Sequence, residues 1–82
     1  MRHAGPDALD SIETLLIQLR KVPGVVEKKR GVFYRRSKAF VHFHEDPTGM
    51  YADVRLTEDF ERFRVQTRDE QAALLVRIRA VA

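Results

Sequence analysis

The chain of 82 residues contains no cysteine. That excludes a disulfide framework, a thiolate metal site and a cysteine nucleophile. Apolar runs stop after a few residues, well short of the ~20 that a membrane-spanning helix needs. The opening Met-Arg-His-Ala-Gly-Pro-Asp lacks the apolar stretch of a signal peptide, so a cytoplasmic location and no membrane partner are the expectation. There is no glycine-rich phosphate loop, no repeat, no low-complexity tract and no internal linker. Charge of one sign does not dominate: 15 Lys and Arg stand against 12 Asp and Glu, for a net +3. This balance permits nucleic acid or an acidic ligand without requiring either. A chain of this size folds as one small domain that buries about 60–65% of its unfolded surface, so its stability is marginal.

What is present is organised around Lys38 to Leu56. Two alternating runs flank Glu-Asp-Pro-Thr-Gly, a hairpin signal with a four-residue loop expected over 46–49. With Glu45 facing Met50, Phe43 meets Ala52 and Val41 meets Val54 on an apolar face. His44 meets Tyr51, His42 meets Asp53 and Phe40 meets Arg55 on the other. A one-residue slip would mix the two faces, so the pattern supports this register.

Residues 1–6 read as a disordered lead. Asp7 is placed to cap a helix whose stripe is Leu9, Ile12, Leu15, Leu16, Leu19 and Val22, ended by Pro23-Gly24. Val25–Lys28 and Val32–Arg35 read as strands, joined by a charged turn or bulge. Arg36-Ser37 makes a tight connection to the next strand, although its residues suit a two-residue turn poorly. Phe33 then falls opposite Phe40, on the face of His42. Glu61–Gln66 reads as the last strand, with Phe63 and Val65 inward. Thr67-Arg68-Asp69-Glu70 is a capping box for a helix carrying Leu74, Leu75, Ile78 and Val81 on one stripe. The prediction is a single α+β domain over 7–82. It is a two-layer sandwich, helix–antiparallel sheet of four or five strands–helix, with both helices on one sheet face.

Val22-Pro23-Gly24-Val25, Gly31-Val32-Phe33-Tyr34, Phe40-Val41-His42-Phe43-His44 and the run Phe63 to Glu70 resemble a family of small bacterial luciferase-domain proteins of unknown function. The family members carry extra residues between the histidine hairpin and the last strand, and this chain is shorter there. The order of elements also resembles the α/β sandwiches of the frataxin and YjbR kind, a likeness of architecture that carries no function.

Function is sought on the helix-free face. Phe33, Phe40, His42, His44, Tyr51, Asp53 and Arg55 are its expected binding residues. Imidazoles two apart on a strand are about 6.5–7 Å apart at the backbone. With Asp53 they are a usable metal set. A zinc site, however, usually needs three converging ligands, and strand neighbours often diverge. The reading is therefore a hydrogen-bonded His42–Asp53 pair, with no metal and no cofactor. Acid–base or metal-assisted catalysis through His42, His44 and Asp53 lacks a nucleophile and stays a third choice. Basic residues with interleaved aromatics over Lys28–Lys38 make nucleic-acid binding the second. The first is a non-catalytic binding module that takes a protein or small-molecule ligand or self-associates, because a contiguous aromatic group on an open face marks an interface.

Overall fold

Alternation from Lys38 onward gives the longest strand of the computed structural model, which describes all 82 residues. The elements run β1 (Arg2–His3), α1 (Pro6–Ser11), α2 (Glu13–Arg20), β2 (Val25–Lys29), β3 (Val32–Arg35), β4 (Lys38–Asp46), β5 (Gly49–Val54), β6 (Glu61–Arg64) and α3 (Arg68–Val81). Strands β2 to β6 lie in sequence order as an antiparallel meander. The helices bury Leu15, Leu16, Leu19, Leu74 and Ile78 against Val41, Phe43, Ala52 and Val54, which all point from one sheet face. This is the expected two-layer α+β sandwich with both helices on that face. No helix is long and apolar enough to cross a membrane.

The β4–β5 register is the one that the faces demand, from Val41↔Val54 through His42↔Asp53 to Glu45↔Met50. Its loop is shorter than expected. Asp46 pairs with Gly49, leaving Pro47-Thr48 as a two-residue turn, because the Asp46 carboxylate accepts from the Thr48 amide (3.2 Å) and hydroxyl (2.8 Å). Arg36 and Ser37 do form the tight β3–β4 turn, with φ of 53° and 66°. For residues other than glycine this left-handed backbone costs about 1–2 kcal/mol each. The capping box forms as read, Thr67 Oγ1 accepting from the Glu70 amide and Glu70 accepting from the Thr67 amide.

Three expectations are corrected. First, residues 1–6 are not a disordered lead. β1 pairs with β4 through Arg2↔Glu45 and His3↔His44, and Glu45 accepts from the Arg2 guanidinium (2.9 Å) and the Gly5 amide (2.7 Å). The sheet thus has six strands rather than four or five. Second, the first helix is two segments meeting at Ile12, where φ is −118° and ψ is 21°. Gly5, not Asp7, is its N-cap, with Pro6 at the first helical position.

Third, Phe33 and Phe40 leave the open face. Arg35 faces Lys38 and Tyr34 faces Ala39 as expected, but Phe33 faces Val41. A β-bulge makes Phe40 the extra residue of β4. Phe40 and Val41 therefore both turn to the helix side, where Phe33 is 0% and Phe40 2% exposed. The Arg35 guanidinium, which donates to the Val81 carbonyl of α3, lies 5.6 Å from the centre of the Phe40 ring.

Candidate functional site

The alternation of β4 and β5 puts His42, His44, Tyr51 and Asp53 on the helix-free face, as expected, and Arg55, just past β5, lies over Phe60 there. Only some of them converge. The His42 and His44 rings meet edge to face at 5.0 Å, and Asp53 Oδ2 is 3.1 Å from His44 Nε2. That last contact lacks hydrogen-bond alignment, so His44 Nε2 is a charged carboxylate's neighbour rather than its donor. Tyr51 turns to the hairpin end, its hydroxyl 2.7 Å from Thr48 Oγ1. Arg55 donates to the carbonyls of Ala39 (3.0 Å) and Glu58 (3.4 Å) and holds the β5–β6 loop in place.

Three residues outside the expected set complete the cluster. His3, brought by β1, stacks on His44 with ring centres 4.8 Å apart and a 29° interplanar angle. Phe60, from the β5–β6 loop, packs edge-on against His42 at 4.9 Å, and the Arg55 guanidinium covers it at 4.5 Å. Arg62 of β6 faces Asp53 and clasps it with two hydrogen bonds of 2.7 and 2.9 Å. The outward alternation of Arg62 and Arg64 was readable, but its register against β5 was not. The charge match of Arg2 with Glu45 is the one sequence signal that would have placed His3.

Ligand-binding atoms of His3, His42 and His44 all lie within 4.8 Å of one another. His42 Nδ1 and His44 Nε2 are buried and make no hydrogen bond. Burial above all holds the His42 imidazole below its ordinary pKa, against the pull of Asp53 and with help from His44, His3 and Arg62. It is uncharged at neutral pH. The Asp53 carboxyl is held below its usual range, chiefly by the Arg62 hydrogen bonds, which outweigh its burial. Asp53 is therefore a firmly ionised, already engaged carboxylate and a weak base.

Beside the cluster the β4 edge is uncovered. Strand β3 leaves β4 at Val41 and β1 joins it at His44, with the Ala4 amide donating to Phe43 O. A cavity of about 390 Å³ opens in this gap, lined by His3, Leu9, Gly31, Tyr34, His42 and others. The basic hairpin, which forms the opposite wall of this cavity, is partly spent. Arg30 pairs with Asp10 and Glu13, Arg35 serves α3, and Phe33 is core. Tyr34 keeps a ring beneath the Lys28 ammonium, 4.2 Å from its centre.

Comparisons with models of protein families, with curated protein sequences and with solved structures find no match to this chain.

Proposed function

We propose that this protein is a non-catalytic binding module whose working surface is the helix-free face, centred on His3, His42 and His44. The observation that carries the reading is the pair of buried, unpartnered nitrogens, His42 Nδ1 and His44 Nε2. Buried polar atoms are nearly always satisfied, and each one left without a partner costs about 1–3 kcal/mol. Two of them together, beside a cavity, form a receptor for a group supplied from outside the chain. Catalysis has less support. Asp53 is committed to Arg62, and the hydroxyls of Ser11, Thr48 and Thr67 are engaged in helix and turn contacts.

With Phe33 and Phe40 in the core, the face offers Phe60 rather than a contiguous aromatic patch. That favours a small ligand over a second copy of the chain. Nucleic-acid binding keeps Lys28, Lys29, Arg36 and Lys38 as exposed cations, but has Tyr34 alone for stacking. Salt-dependent binding of a single-stranded oligonucleotide would favour it.

The test is chemical-shift mapping of ¹⁵N-labelled protein against divalent metal ions, small carboxylates, phosphates, amines and nucleobases. Binding at this face predicts shifts centred on His3, His42, His44 and Phe60 that His42→Ala abolishes. Shifts confined to the helices or the basic hairpin, or none at millimolar concentrations, would refute it.

A further inference from the structure

We propose that His3, His42 and His44 form a site for a divalent transition-metal ion, zinc foremost, supported from outside by Asp53 and Arg62. This rests on the reading of the open face as the working surface and names the ligand of that face.

Two strands deliver the three imidazoles. His42 and His44 come from β4 at i and i+2, a spacing that alone leaves side chains free to diverge. Pairing of β1 with β4 adds His3 directly across from His44, and Phe60 backs His42 from the other side. Zinc–nitrogen bonds of about 2.0–2.1 Å in a tetrahedral site place ligand nitrogens about 3.4 Å apart. The cluster lies within 4.8 Å, so closure needs no more than about 1.4 Å of side-chain movement in its widest pair. The exposed side chain of His3, on a strand of two residues, is the part free to make that movement.

The donor chemistry selects the ion. Imidazole nitrogen without thiolate suits zinc, copper, nickel and cobalt, whereas magnesium and calcium require oxygen donors. Buried nitrogens that find no hydrogen bond within the protein would gain a partner in the ion. Asp53, 3.1 Å from His44 Nε2 and fixed by Arg62, sets a carboxylate oxygen beside that nitrogen, where its negative charge favours a cation. Three imidazoles leave a fourth position open, and the cavity between β1 and β3 reaches two of them, His3 and His42. Water or a small anionic ligand fits that position.

The experiment is a zinc titration of the full chain, free of any polyhistidine tag, in competition with a chromophoric chelator, and a cobalt optical spectrum of the same protein. The expected result is one zinc per chain with a micromolar or tighter dissociation constant. His42→Ala and His44→Ala should each weaken it by about 100-fold, His3→Ala by at least 10-fold, and Asp53→Asn by about 10-fold. Circular dichroism checks the fold of each variant. Should His42→Ala unfold, His3→Ala decides alone, because the exposed ring of His3 belongs to no core. Zinc binding weaker than about 1 mM, or an affinity indifferent to His3→Ala, overturns the assignment. If zinc fails while another compound still shifts His42, His44 and Phe60, the metal is wrong and the binding surface stands. If nothing shifts them, both fall.

Discussion

Replacing Phe40 by alanine should remove a large share of the stability of this domain. The ring is 2% exposed and sits where the β4 bulge turns it under the Arg35 guanidinium. Burying a phenylalanine contributes about 2–3 kcal/mol by transfer alone. The cavity left behind raises the cost of Phe→Ala to about 3–5 kcal/mol. At roughly 0.05–0.15 kcal/mol per residue, a chain of 82 residues has about 4–12 kcal/mol in total. Urea unfolding followed by circular dichroism reads the loss. With a slope of ~1 kcal/mol per molar for so small a chain, the midpoint should fall by about 3–5 M, or the variant should not fold at all. Phe40→Leu keeps most of the apolar volume and should lose only about 1–2 kcal/mol. A Phe40→Ala midpoint within about 0.5 M of the parent would refute the bulge and return the ring to the open face.

Gly31 has φ +80°, and a Cβ there would meet Leu9 Cδ2 at 2.7 Å. Gly31→Ala should therefore cost about 1–2 kcal/mol in the same assay, chiefly through the backbone. Thr67→Ala removes the cap of α3 and should cost about 1 kcal/mol, with amide exchange accelerated in its first turn. Burial raises the pKa of the Glu27 carboxyl, but hydrogen bonds from Arg20 and the Gly31 amide outweigh it and hold the group below its usual range. Its stabilisation is then complete above the unfolded carboxyl value near ~4.3 and disappears as pH falls through the lower folded value. Glu27→Gln should be less stable than the parent at pH 7, with the gap narrowing below about pH 4.5 in parallel denaturant titrations. A gap independent of pH would contradict this role for the Arg20–Glu27 pair.

Local patterns made much of this fold readable. The β4–β5 register followed from alternation alone, because only one pairing keeps Phe43, Val41, Ala52 and Val54 together. The α3 cap and both helical stripes were equally local. What escaped was non-local or off the regular period. The bulge at Phe40 adds one residue to β4, and alternation cannot signal such an insertion. Phe33 and Phe40, which alternation assigns to the open face, are core for that reason. β1 is two residues long and is held by Glu45, forty-three positions from Arg2, so no window of sequence contains both. The candidate site inherits that division. His42, His44 and Asp53 were legible as a group. His3, Arg62 and Phe60 reach them through β1, the β5–β6 register and a loop.

The three histidine side chains, followed by long-range ¹H–¹⁵N correlation spectra while zinc is added to one equivalent, report on whether the open face is a working site. Ring nitrogens of His3, His42 and His44 should shift together and saturate at one ion per chain, with the ring protons of Phe60 moving alongside His42. Movement of His3 alone, or unchanged signals from His42 and His44 at saturating zinc, would contradict a site built on this face.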